Sequence, residues 1–358
     1  MAKRFLIWFW SGGGGGSAFS VNLAHRLRLQ FGAGAVTLSL RADDPTLARA
    51  RDEGLNVLSA EIVSDRRRPL ATIAALAQSG SILAEHARDS DLVIVPMNFA
   101  SAAPLSARLK QPLIYCAHDP EPHPGDYARA LQRMTQTVLL RRACRVVALS
   151  EYAAGRLRTR GVGAKKLKVV PLTSVFEPQP QSVRAEGPVR LLFAGRMIPY
   201  KGVDILADAL VRLSLRDDWR LTVSGSGPAL DDATARRFAY PQVERVGRDW
   251  LSDAELDALI AGCDVLLAPY RSATQSGLVA QALAYGRPCV VTPVGALREQ
   301  VDGDVAGLVA ADVGAAAFAA AMEAVLDRPH ELEKKAAAAL RLSRAAWEHD
   351  HWGWLSEL

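Results

Sequence analysis

Residues 190–202 read RLLFAGRMIPYKG. Leu191, Leu192, Phe193 and Ala194 make a short continuous apolar run, the pattern of a strand buried in a parallel sheet. The run breaks at Gly195, delivers Arg196 and then Lys201-Gly202, and passes into VDILADALVRLSL, whose spacing predicts a helix. Open α/β sheets bind ligands at the carboxyl ends of their strands. Two cations there, just ahead of a helix start, suit a phosphate-rich ligand; solvated basic residues in an ordinary loop are the plain alternative.

The same alternation extends both ways. Upstream, strands are expected at 5–10, 35–40, 56–62, 91–97, 112–117, 144–150 and 166–172. Between them, helical patterns occupy 17–32, Asp43–Glu53, Pro69–Arg88, Ser101–Leu109, Tyr127–Arg142 and Glu151–Arg160. Residues 173–188 change character, with Pro178, Pro180, Gly187 and Pro188 among polar residues, and read as a linker. Strands then restart at 191–195, 219–225, 242–247, 263–269, 288–293 and Gly307–Val309. Helices are expected from Ser252 and over Leu278–Tyr285, Val313–Leu326 and Glu331–Leu342. The expected class is α/β: two Rossmann-like, doubly wound domains facing a cleft, with bounds at 1–175 and 189–342 and the linker at 176–188.

Composition agrees. The 358 residues suit two domains, and 49% apolar with 23% charged residues excludes a disordered chain. Cys116, Cys144, Cys263 and Cys289 are far apart with no C-x-x-C, so free buried thiols and a reducing, cytoplasmic setting are expected. MAKRFLIWFW is too short an apolar stretch for a signal peptide and reads as a first buried strand, and no apolar run reaches the ~18 residues of a membrane span. Net charge is +5, with Arg141, Arg142, Arg145, Arg156, Arg158, Arg160, Lys165, Lys166 and Lys168 clustered. An anionic membrane surface or substrate answers such a cluster, as does a solvated helix face; no nucleic-acid motif accompanies it.

Other stretches repeat the strand-end theme. Gly12–Gly16 lies between a strand and a helix, where a ligand or another segment can approach the backbone. As a nicotinamide fingerprint, with Asp43 or Asp44 for ribose, it is loose, because five glycines satisfy almost any spacing. Gly225-Ser226-Gly227-Pro228 either cradles phosphate through its amides or simply turns the chain. Thr274-Gln275-Ser276-Gly277 precedes a helix, with Ser276 as its cap, and with Arg196 and Lys201 it outlines a diphosphate pocket that needs no metal. His118-Asp119 ends a strand, where a histidine serves as acid, base or hydrogen-bond donor to a sugar, or simply packs. His118 with His123, or His349 with His351, lacks a third ligand at metal spacing.

LLFAGRMIPYKGVDILADAL, SGSGP, VGRDWLSDAEL, CDVLLAPYRSATQSGLVAQALAYGRPCVVTPVGALREQV and DGDVAGLV together resemble the C-terminal half of GT-B glycosyltransferases, family 4, which are retaining and use nucleotide sugars. The match is continuous over about 190–310 and looser upstream, and AAWEHDHWGWL, within 343–358, resembles the final helix that crosses back to the first domain. The resemblance implies that Arg196 and Lys201 meet the diphosphate, as do the helix-start amides of Ser276, Gly277 and Leu278. It implies glycine approaches to the donor at Gly225 and Gly227, and at Gly14, Gly15 and Gly16, and a nucleobase region at Gly247-Arg248-Asp249. His118 would contact the donor sugar, and Glu299 falls where relatives carry an acidic residue.

One departure concerns two family glutamates, eight residues apart, whose positions here hold Ala273 and Gln281. Gln281 keeps a neutral hydrogen bond for ribose; Ala273 keeps none. The implied reaction is sugar transfer from a UDP- or GDP-linked donor, as co-substrate and without a cofactor, to a saccharide hydroxyl. A polyprenyl-diphosphate-linked acceptor at the inner membrane face is expected. A nucleotide-binding protein with weakened activity and a dinucleotide-dependent oxidoreductase are the alternatives.

Overall fold

The computed structural model describes residues 3–62, 69–122, 129–180, 186–247 and 251–358. It divides into two compact units, Met1–Pro171 with Asp350–Leu358, and Leu172–His349.

In the first unit the strands are β1 (Phe5–Phe9), β2 (Val36–Arg41), β3 (Asn56–Ala60), β4 (Leu92–Val95), β5 (Leu113–Ala117), β6 (Arg145–Ala148) and β7 (Leu167–Val169). They form one sheet in the order β3-β2-β1-β4-β5-β6-β7, with every neighbouring pair parallel. Parallel neighbours need crossover helices, here α1 (Gly15–Phe31), α2 (Leu47–Asp52), α3 (Pro69–His86), α4 (Ala102–Ser106), α5 (Arg129–Arg142) and α6 (Glu151–Thr159). Helices on both faces explain why β1, β4 and β5 are buried at every residue.

The second unit repeats the plan with β8 (Val189–Ala194), β9 (Trp219–Ser224), β10 (Val243–Gly247), β11 (Val265–Ala268), β12 (Cys289–Val291) and β13 (Gly307–Val309). Their order is β10-β9-β8-β11-β12-β13, again all parallel. The helices are α7 (Val203–Leu213), α8 (Asp232–Arg236), α9 (Asp253–Gly262), α10 (Gly277–Ala284), α11 (Leu297–Gln300), α12 (Ala315–Leu326) and α13 (Leu332–Glu348). In each unit the order reverses beside the first strand, β1 or β8, and this reversal opens the crevice where doubly wound sheets take ligands.

Several boundaries differ from those read in the sequence. The helix expected at Asp43–Glu53 begins only at Leu47, because the Asp44 carboxylate accepts from the backbone of Thr46 and holds the chain in a turn. The last long helix runs to Glu348 rather than Leu342 and belongs to the second unit; Asp350–Leu358 alone joins the first, ending in a 3-10 turn, Gly353–Glu357. Its Trp352 is fully buried, and Lys168 lies over the ring of Trp354 at 5.6 Å. Leu172–Val175 forms a 3-10 turn whose Leu172 and Val175 are buried, so this stretch goes with the second unit. Of the linker at 176–188, residues 181–185 lie outside the described residues, as do Tyr127 and His123. All four cysteines are free; Cys116, Cys263 and Cys289 are buried and Cys144 is half-buried. Burial pushes the Cys116 and Cys289 thiols up and that of Cys263 up to about 12, which keeps them protonated and unreactive.

Candidate functional site

The second unit gathers its polar groups at the carboxyl ends of β8, β9 and β11. After β8, Met197 donates its amide to the Ser226 carbonyl (2.8 Å) and accepts from Ala229 (3.0 Å), which ties this loop to the one after β9. The fit requires glycine: a Cβ at Gly225 would overlap the Gly195 carbonyl, and one at Gly227 the Met197 carbonyl. At both positions the side on which a Cβ would stand is filled by neighbouring backbone. The Gly225 amide, moreover, donates to the Gly247 carbonyl at 3.0 Å, so it is not available to a phosphate. Exposed Arg196 stands at the edge of this seam.

A second seam joins the β8 loop to the end of β11. Gly202 adopts a left-handed conformation (φ 70°) and lies against the Pro269 carbonyl, where any side chain would collide. Arg271 donates its amide to the Tyr200 carbonyl (2.8 Å), and its guanidinium pairs with Asp204 on α7. That pair holds the Asp204 carboxyl below the usual aspartate range. The 3-10 turn Pro199–Lys201 is thereby set so that Lys201 Nζ lies 3.8 Å from the centroid of the Tyr270 ring. Tyr270 is buried, and its hydroxyl reaches Ser276 Oγ at 3.4 Å.

Ser276 caps α10 by accepting from the Val279 amide at 3.3 Å. Its own amide, expected to face a diphosphate, instead donates to Gln300 Oε1 at 2.8 Å, while Gln300 Nε2 donates to the Ser276 carbonyl at 3.0 Å. Two helix-start amides remain, those of Gly277 and Leu278, with no acceptor among the described residues. A Cβ at Gly277 would meet nothing within 4 Å. The result is an arc: Arg196, Lys201 on its tyrosine, and the positive end of α10. Among the described residues neither cation has a carboxylate partner, whereas neighbouring Arg271 pairs with Asp204. Such an arrangement stabilises negative charge built up on a phosphate.

Gln300 was missed in the sequence, although it adjoins Glu299. Glu299 is exposed on α11. Gln281 does not face the helix start; its Nε2 donates to Asp257 Oδ1 on α9 at 2.7 Å, so a carboxylate accompanies the glutamine. Ala273 is buried, with its carbonyl against Gly295. Arg248, with Asp249, lies outside the described residues.

In the first unit Gly13 (φ 66°) and Gly14 (φ 80°) turn the chain into α1. Gly16 is a packing glycine, since a Cβ there would overlap the Phe9 ring, whereas one at Gly15 would meet nothing within 4 Å. Asp44, a possible ribose ligand in the dinucleotide reading, is buried and accepts from Ser17 Oγ (2.6 Å) and Thr46 Oγ1 (2.7 Å). It is thus engaged in holding the loop. Asp43 pairs with Arg41. Half-buried His118 follows β5 and meets Phe19 of α1 edge-on, with centroids 5.2 Å apart, so the glycine loop and this histidine share one wall. Among the described residues no three His, Cys, Asp or Glu side chains come together as metal ligands would.

Two parallel-sheet α/β units with these strand orders define a GT-B glycosyltransferase architecture. Solved structures share the fold: Anabaena Alr3699/HepE in complex with UDP-glucose (19% identity, 99% of this chain and 100% of that one, TM-score 0.75) and the sucrose-phosphate synthase of Thermosynechococcus elongatus (17%, 96% and 95%, 0.72). The chain also matches the glycosyl transferase 4-like domain over residues 14–173 and the glycosyl transferases group 1 domain over residues 188–328, and it belongs to this family of glycosyltransferases. An MMP alpha-(1->4)-mannosyltransferase from Mycolicibacterium hassiacum is 28% identical over 72% of this chain and 67% of its own length. A glycogen synthase from Mycobacterium tuberculosis is 34% identical over 43% of this chain, a stretch that spans only 37% of that enzyme.

Proposed function

We propose that this glycosyltransferase moves a hexosyl group from a UDP- or GDP-linked sugar to a hydroxyl of a polyprenyl-diphosphate-linked saccharide, in bacterial glycan or polysaccharide assembly. It works without a metal and in peripheral contact with the inner face of the cell membrane. The observation that carries the donor reading is the arc of Arg196, Lys201 and the free amides of Gly277 and Leu278. The UDP-glucose bound by Anabaena Alr3699/HepE supports a nucleotide-sugar donor, and the mannosyltransferase and glycogen synthase relatives support a hexosyl group.

In the reaction the bond between the anomeric carbon and the β-phosphate oxygen breaks, its electron pair leaving with the nucleoside diphosphate, and the acceptor oxygen bonds that carbon and passes its proton to the departing phosphate oxygen. Charge grows on the leaving diphosphate, and cations and amides already aimed at it lower the barrier without reorganising. His118, at its strand end, would orient the donor sugar.

Turnover across a panel of UDP-, GDP- and ADP-sugars, with wild type and Arg196→Ala, tests the reading. Arg196→Ala is expected to lose on the order of 10²–10³ in kcat at saturating donor, and full turnover by that variant would sink the assignment. Ala273 and the engagement of Gln281 with Asp257 favour one other outcome, nucleotide binding with little turnover.

A further inference from the structure

Helix α5 turns the usual pattern of a surface helix outward. Its buried face includes Thr135 and Gln136 beside Leu139 and Leu140, while Leu131, Met134 and Val138 are 46%, 59% and 41% exposed. Steps of three and four residues put these three side chains in one row, about 10 Å long at 1.5 Å per residue. The helix cannot roll to hide them without breaking its anchors. Gln136 Nε2 donates to the Asp119 carbonyl (2.9 Å). Arg160 donates to Gln136 Oε1 and to Thr137 Oγ1, both at 3.2 Å.

Along α5 itself the charge has one sign. Described α5 contains four arginines and no acidic residue. Arg129, Arg133 and Arg141 are exposed and have no carboxylate partner among the described residues. Arg133 also feels the like charge of Arg160. The downstream basic cluster, by contrast, is largely engaged within the unit. Arg156 pairs with Glu121 and Arg158 with Glu151, Arg142 bonds the Leu109 carbonyl, and Lys166 bonds the Arg141 carbonyl.

We infer that α5 is a docking helix for an anionic lipid bilayer, with Leu131, Met134 and Val138 entering the headgroup–acyl boundary and Arg129, Arg133 and Arg141 meeting lipid phosphates. An aliphatic row edged by arginines is what an interfacial helix needs, because hydrocarbon rewards the row while the anionic surface rewards the charges. Nucleic acid would reward only the arginines, since the row offers no aromatic ring for a base to stack on. The inference rests on the peripheral membrane contact proposed above and assigns it to one helix.

The test is sedimentation of the full chain with phosphatidylglycerol-containing vesicles and with neutral phosphatidylcholine vesicles. Wild type is expected to bind the anionic vesicles, more weakly as salt rises, and to leave the neutral ones. Leu131→Ser/Met134→Ser/Val138→Ser is expected to bind at least about tenfold more weakly. Neutralising Arg129, Arg133 and Arg141 to Gln should cost about fivefold per charge. All six side chains are exposed, so the unfolding temperature and UDP-induced stabilisation should stay at wild-type values. No binding by wild type overturns the membrane contact altogether. Binding that survives the serine variant overturns only the assignment to α5. A wild-type dimer that the serine variant splits, without vesicle binding, makes the row a protein interface and overturns the proposal.

Discussion

Replacing Lys201 by alanine separates chemistry from folding. The ammonium lies 3.8 Å from the Tyr270 ring centroid and 5.8 Å from that of Tyr200, with no carboxylate partner among the described residues. Its loss to the fold is therefore one or two cation–π contacts, about 0.5–2 kcal/mol. A group that stabilises a leaving diphosphate contributes more to the barrier, about 2.7–4 kcal/mol, which is a fall in kcat of roughly 10²–10³. The assay is release of nucleoside diphosphate at saturating donor, beside thermal unfolding of the same preparations. Lys201→Ala should remain folded and be nearly inactive, and Lys201→Arg should recover part of the rate, because it restores charge but not the compact ammonium. If Lys201→Ala turns over within about threefold of wild type at saturating donor, the lysine stabilises no charge in the transition state and the arc has been misread.

Gln300→Ala removes both hydrogen bonds to the Ser276 backbone and is expected to destabilise the second unit by about 1–3 kcal/mol, with weaker UDP-induced stabilisation in a thermal-shift assay. Gln300→Glu, which keeps the acceptor for the Ser276 amide, should recover part of it. Gly202→Ala forces a side chain into the Pro269 carbonyl from a left-handed backbone and should lower stability by about 3 kcal/mol or more, measured by urea unfolding. The Asp204 carboxyl is held low first by its hydrogen bond from Arg271, so the unfolded chain takes up that proton before the folded one. Its stabilisation is present above the ordinary aspartate range, about pH 4, and is lost as pH falls through the lower folded value; Asp204→Asn should flatten this part of the acid limb in a melting series.

The alternation of apolar runs with helical periods was enough to find the strands of the described residues within a few positions, most plainly β1, β4 and β5, since a strand covered on both faces has to be apolar throughout. Helix ends were less legible. Asp44 and its turn consumed the start of α2, and α13 gained two turns because its later residues lie in an alanine-rich pattern with no proline or glycine to stop it. At the site, Arg196, Lys201 and the start of α10 were readable because strand-end position follows from chain order. The engagement of Gly225 with Gly247, of Ser276 with Gln300 and of Gln281 with Asp257 was not, since each joins residues from different strand ends or helices.

What the amino-acid order determined by itself is local: which segments are strands, where each ends, and which cations and glycines stand at those ends. Short-range backbone preference and apolar period carry that information along the chain. Which of these groups are left with unsatisfied charge or amides is settled by packing. That depends on partners far away in sequence, brought close where neighbouring strand ends and helices meet. RLLFAGRMIPYKG therefore places two cations and a left-handed glycine at a strand end, and Pro269, Tyr270 and Gln300, contributed from other loops, fix the surroundings in which those cations stand.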